Sequence, residues 1–166
     1  MNEKLTSKVC DIMASLNRIA AEVMQDFKIN ACTDVTGFGL LGHACEMIED
    51  SNVGLRIFTR NIPLIDETLK YANMGMVPAG TYRNKKFRAD FILNLQSAPS
   101  PLVDILFDPQ TSGGLLIAVD RDQSDRLVQV LREREVKHAS IIGEFMNTHP
   151  SRIILDPPDP FFQTSS

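Results

Sequence analysis

The chain has 166 residues, 43% of them hydrophobic and 23% charged, with a net charge of -4. That is the make-up of a folded globular protein with one core, and it excludes disorder and any electrostatic pull toward nucleic acid or an anionic membrane. No apolar run approaches a membrane span, the N-terminus lacks the basic start and apolar centre of a signal peptide, and three irregularly spaced cysteines suit reduced thiols in the cytoplasm.

In chain order, Ile12, Leu16, Ile19 and Val23 recur at helical spacing and predict one helix over Thr6–Phe27. "KINACTD" reads as a short strand. "TDVTGFGLLGH" (33–43) follows, and Leu40, Ala44, Met47 and Ile48 carry a second helical stripe within 35–50. "VGLRIFT" alternates as a strand. "PLIDETLKYANMG" reads as a short helix, with Pro63 in its first turn and Gly75 at its exit. From Gly75 to Gln96 no apolar period survives, and "MGMVPAGTYRNKKFRAD" reads as a solvated loop long enough to be functional. "SPLVDILF" is a short helix or turn, "GGLLIAVD" a buried strand, and "DQSDRLVQVLRERE" a helix turning Leu127, Val130 and Leu131 inward. "ASIIGEFMN" and "SRIILD" are expected to form a hairpin around "THPS", and residues 157–166 a frayed proline-rich tail. The sum is an α+β fold, helices packed on a mixed β-sheet, with residues 1–156 as a single domain.

Gly37 to Gly42 spell a GxGxxG, which has three readings. A dinucleotide site needs an acid about twenty residues on, and "GLRIFTR" has none. A P-loop needs Lys and Ser/Thr where His43 and Ala44 stand. What remains is an acid at a strand end, Asp34, ahead of a helix start that Thr36 could cap, with the N–H groups of Gly37, Phe38 and Gly39 directed forward. A carboxylate beside an anion-friendly helix start is half of a magnesium–nucleotide site. It is equally a turn residue before glycines that allow close packing. "FDPQTSGGLLIAV" repeats the acid–hydroxyl–glycine pattern at Asp108, Thr111, Ser112 and Gly113-Gly114; in isolation it is a tight turn. Cys32, His43 and Cys45 are read as buried or half-buried side chains rather than a zinc site, since no CxxC occurs and His43 and Cys45 do not share a helix face.

"ACTDVTGFGLLGH" followed by "EM", then "GMVPAGTYRN", then "FDPQTSGGLL", with "LNRIAAEVM" ahead of them, resemble in order and spacing the C-terminal half of the selenophosphate synthetases (selenide, water dikinases). Their wider superfamily includes aminoimidazole ribonucleotide synthetase, the thiamine monophosphate kinases and a hydrogenase maturation factor. The resemblance implies an enzyme making selenophosphate, AMP and phosphate from selenide, ATP and water. It implies a separate N-terminal domain with a reactive Cys or Sec, a lysine, most of the Mg2+-binding aspartates and the homodimer contact. It also implies that Asp34 is the aspartate this half adds to the metal cluster, with Thr33, Thr36, Gly37, Phe38 and Gly39 beside the ATP phosphates. Nothing in these residues matches the N-terminal half, and Cys10, Cys32 and Cys45 lie in no glycine-rich nucleophile segment. The chain is therefore expected to hold no catalytic residue of its own and to be inactive alone. The alternative is a stand-alone, non-catalytic binding module of the same fold.

Overall fold

The computed structural model describes residues 3–156. The predicted frayed tail lies outside the described residues. The elements are helix α1 (Glu3–Ala14), α2 (Arg18–Val23), strand β1 (Ile29–Asp34), α3 (Gly39–Ile48), β2 (Gly54–Ile57), α4 (Thr68–Asn73), α5 (Ala79–Arg88), α6 (Ser100–Leu106), β3 (Leu115–Val119), α7 (Arg121–Glu133), β4 (Gly143–Met146) and β5 (Ile153–Leu155). The fold is α+β, as expected. Its strands form two sheets rather than one: an antiparallel β1–β3 pair, and a mixed sheet ordered β4–β2–β5.

The larger core joins α3, α6 and the mixed sheet. Leu41, Ala44, Cys45 and Ile48 stand at the i, i+3, i+4, i+7 positions of α3 and meet Leu102, Val103, Leu106 and Phe107, with Leu55, Ile57, Ile153 and Leu155 beneath. Leu40 and Met47, read as part of that stripe, are only half-buried. A second core packs α2 (Ala20, Val23) on α7 (Leu127, Leu131), against Ile29, Leu115, Ile117 and Val119 of the two-stranded sheet.

Four expectations need correction. The helix over Thr6–Phe27 is two helices. Ser15 bonds its hydroxyl back to the Asp11 carbonyl at 2.8 Å, its own carbonyl is taken by the Ser112 hydroxyl at 2.9 Å, and Leu16 is left 82% exposed. Pro63 does not open α4, which starts at Thr68 after Glu67 in the left-handed region; Gly75, at φ 77°, does mark its exit. The supposed loop contains α5, whose buried face is polar: Thr81, Asn84 and Arg88. The last two strands do not pair with each other. β2 lies between them, antiparallel to β4 (Leu55 opposite Phe145) and parallel to β5 (Leu55 opposite Ile153). The "THPS" segment folds over the entrance of β2, with the Ser151 N–H on the Val53 carbonyl and the Leu55 N–H on the Arg152 carbonyl, both 2.9 Å.

Cys10 and Cys32 are exposed and Cys45 is buried, so the expectation of a buried or half-buried Cys32 also fails. Burial pushes the Cys45 thiol up to about 12. The Cys32 thiol is raised by partial burial and then by the nearby Asp34 charge. The native chain at about pH 8 is expected to give an aromatic disulfide reagent one fast thiol and one slow one, the third reacting only in denaturant. Three fast thiols would contradict this packing.

Candidate functional site

β1 delivers Asp34. Its residues alternate in exposure, so Cys32 and Asp34 lie on one face and Thr33 on the other. Thr33 stands opposite Leu116, which packs on the larger core, and Asp34 opposite Leu115. The Asp34 carboxylate is exposed and makes no hydrogen bond or ion pair within the described residues.

Beyond Asp34 the two glycine-rich stretches continue the β1–β3 ladder against each other. The Val35 N–H donates to the Gly114 carbonyl (2.9 Å), the Gly113 N–H to the Val35 carbonyl (3.0 Å) and the Gln110 N–H to the Thr36 carbonyl (2.9 Å). The glycines serve this approach. A Cβ on Gly113 would lie 2.7 Å from the Val35 carbonyl oxygen, and one on Gly39 2.6 Å from the Phe107 carbonyl carbon. Gly39 also holds φ 70°, the left-handed region that side chains disfavour.

Helix α5 locks the two turns together. The buried Asn84 amide donates to the Gly37 carbonyl (2.9 Å) and the Phe107 carbonyl (3.0 Å). One turn earlier, the Thr81 hydroxyl donates to Asp108 Oδ1 at 3.0 Å, and Gln110 Nε2 donates to Asp108 Oδ2 at 3.1 Å. The three separated stretches "TDVTGFG", "GTYRN" and "FDPQTSGG" therefore form one hydrogen-bonded unit, with the Asp34 carboxylate at its margin.

Several details differ from the sequence reading. Thr36 does not cap α3. Its hydroxyl lies 3.2 Å from His43 Nε2, and its carbonyl accepts from Gly39 and Gln110. The Gly39 N–H is thus already bonded (3.1 Å to Thr36) and does not point forward. Thr111 is exposed, and the Ser112 hydroxyl reaches back to the Ser15 carbonyl. Asp108 has both oxygens engaged in holding the unit together, and Asp34 has neither.

The model for the AIR synthase related protein C-terminal domain matches residues 4–156. The chain belongs to this family. Among its relatives, the selenide, water dikinase of Pelobacter propionicus is 44% identical over 152 residues, covering 92% of this chain and 44% of that protein. Selenide, water dikinase 2 of Peptoclostridium acidaminophilum is 42% identical over 148 residues, covering 89% and 42%. The selenide, water dikinase of Clostridioides difficile is 38% identical over 143 residues, covering 86% and 41%. The chain spans about two fifths of the length of these relatives.

In this AIR synthase related domain the unit carries one unengaged carboxylate, and among the described residues no three His, Cys, Asp or Glu side chains gather as a metal site. Asp34 fits the part of a single anionic ligand, because its oxygens have no other partner among the described residues, but a complete coordination shell would need ligands from elsewhere. No helix of the described residues is long and apolar enough to cross a membrane.

Asn84, Thr81, Gln110, His43 and Glu46 escaped the sequence reading as site residues. A usable signal was the spacing of Thr81, Asn84 and Arg88, a helical stripe written in polar residues.

The Asp108 carboxyl is raised above the usual carboxylate range by burial, partly offset by the Thr81 and Gln110 hydrogen bonds. An acid whose folded value is raised stabilises the fold while protonated, below the ordinary value near 4, and loses that contribution as pH rises through the folded value. Asp108→Asn stays neutral throughout. Its melting temperature relative to the parent is therefore expected to improve as pH rises above the ordinary carboxylate value near 4. A pH-independent difference would show that the Asp108 charge is not desolvated.

Proposed function

We propose that this chain is the closing C-terminal half of a selenide, water dikinase, acting as one domain over residues 1–156 in a cytoplasmic enzyme. The complete enzyme takes selenide, ATP and water to selenophosphate, AMP and phosphate. The observation that carries the reading is the hydrogen-bonded unit of two glycine-rich turns with an unengaged Asp34 carboxylate beside it, in a chain 44% identical to a protein of that name.

In this reading Asp34 contributes one oxygen ligand to Mg2+, and the remaining carboxylates come from an N-terminal domain. That domain also supplies the nucleophile and the homodimer contact. Mg2+, when bound, neutralises charge on the phosphates of ATP. The residues of this chain hold the geometry. Thr36, Gly37 and Phe38 form a loop in which Gln110 clamps the Thr36 carbonyl and Asn84 the Gly37 carbonyl, so the loop is set before ATP arrives. Thr33 and Gly39 serve from behind, through strand pairing and close packing. The shut unit covers the nucleotide and keeps bulk water out.

Phosphoryl transfer depends on positioning and charge neutralisation, and one carboxylate cannot hold a triphosphate with its metal ions. The isolated 166-residue chain is expected to form no AMP from ATP above a blank, with or without selenide. The complete enzyme is expected to form AMP and selenophosphate in equal amounts only when selenide is present. AMP from the isolated chain would overturn the division of labour. A complete enzyme that binds ATP without turnover would favour the stand-alone binding module.

A further inference from the structure

Thr36, His43 and Glu46 form a line of side-chain hydrogen bonds, and the reading above uses the Thr36 backbone but not this line. Thr36 lies on the loop between β1 and α3, and His43 and Glu46 lie one turn apart on α3. His43 Nε2 is 3.2 Å from the Thr36 hydroxyl, and Nδ1 is 2.9 Å from Glu46 Oε2. His43 is 7% exposed, and its ring tilts against Phe38, with centroids 5.6 Å apart.

The direction of these bonds follows from donor chemistry. A carboxylate only accepts, so Nδ1 carries the ring proton. In the neutral ring Nε2 is then a bare acceptor, and the one proton available to it is that of the Thr36 hydroxyl. With the ring neutral in this tautomer, Thr36 donates its proton to Nε2 and keeps only its lone pairs for a further partner. A hydroxyl in this state cannot donate to a phosphate oxygen. It can accept from a water.

We infer that His43 is a positioning residue that fixes the Thr36 hydroxyl as a hydrogen-bond acceptor for any further partner, so that the group received at Thr36 is a bound water rather than a phosphate oxygen. Glu46 holds the tautomer and the buried ring holds the direction, as carboxylate–histidine pairs do behind metal and water sites. The identity of the site as an ATP site rests on the proposed function; the tautomer and the hydroxyl direction do not.

Two measurements test this. Long-range 1H–15N spectra of the chain at about pH 8, above the ordinary imidazole range, should show one histidine locked as the Nδ1–H tautomer. That signal should vanish in His43→Gln and become a mixture of tautomers in Glu46→Ala. An Nε2–H ring in the parent chain overturns the inference whatever the enzyme does. In the complete enzyme, His43→Gln, whose amide oxygen can still accept from Thr36, should keep kcat within about threefold. His43→Phe and Thr36→Val should both lose roughly 10- to 100-fold in kcat at little change in the KM for ATP, and Thr36→Ser should restore it. Equal losses in His43→Gln and His43→Phe, tracking their melting temperatures, would reduce His43 to a packing residue and overturn the inference. If His43→Phe does not fold, the tautomer and the Thr36 pair decide. A complete enzyme making no AMP, with the Nδ1–H tautomer intact, would sink the proposed function and leave the hydroxyl direction standing.

Discussion

Gly39→Ala is expected to lose about 3–5 kcal/mol of stability. Two costs add. The position holds φ 70°, where a β-carbon is strained, and that carbon would sit 2.6 Å from the Phe107 carbonyl carbon and 2.9 Å from the Asp108 carbonyl oxygen. Both obstacles are backbone, so no rotamer change relieves them. The segment they belong to is pinned by Asn84 on the Phe107 carbonyl and by Thr81 on the Asp108 side chain. At 2–4 °C per kcal/mol for a domain of this size, the melting temperature should fall by about 10 °C. Gly37→Ala is the control: nothing lies within 4 Å of a β-carbon there, so its melting temperature should barely move. Equal, small effects at both positions would mean that the two turns do not approach as described.

Asp34→Asn in the complete enzyme is expected to lower selenophosphate formation at least about 100-fold, corresponding to about 3 kcal/mol of lost transition-state stabilisation. Asn matches Asp in shape and still satisfies a turn, so a merely structural Asp34 would tolerate it. What Asn lacks is the charge on an oxygen that binds a hard cation. The side chain is exposed and makes no hydrogen bond or ion pair within the described residues, so the melting temperature should stay within about 2 °C of the parent. Asp108→Asn is the instructive comparison. Its two oxygens already accept from Thr81 and Gln110. Its substitution should alter stability with pH more than turnover.

The contrast between these two aspartates marks how far sequence carries. Asp34 and Asp108 share an acid–hydroxyl–glycine signature, and nothing in either stretch says which carboxylate is engaged. The difference arises from α5, whose contacts reach 47 residues back to one turn and 23 to 27 residues on to the other. That helix reads as a loop because its buried positions, Thr81, Asn84 and Arg88, carry no apolar period. Their burial is offset by specific partners: Asp108 for Thr81, two carbonyls for Asn84, and Glu49 at 2.9 Å for Arg88. Where burial is apolar the reading succeeds. Ala44 and Ile48 of α3 and Leu127 and Leu131 of α7 are buried where spacing puts them. The same logic misled at Leu16, where the local Ser15 hydrogen bond ended the helix before the stripe could continue. The order of the last sheet depends on which strand the 147–152 segment folds across, and strand patterning is silent on pairing. The convergence of the two glycine-rich turns is a long-range property of the same kind.

The most direct test is a magnesium titration of AMP and selenophosphate production by the complete enzyme, with Asp34→Asn beside the parent. If Asp34 is a ligand, the variant should stay far below the parent at limiting Mg2+ and recover only partly as Mg2+ rises, with melting unchanged. If Asp34→Asn turns over like the parent at limiting Mg2+, then Asp34 is a turn residue, and "TDVTGFGLLGH" is a packing motif with no metal beside it.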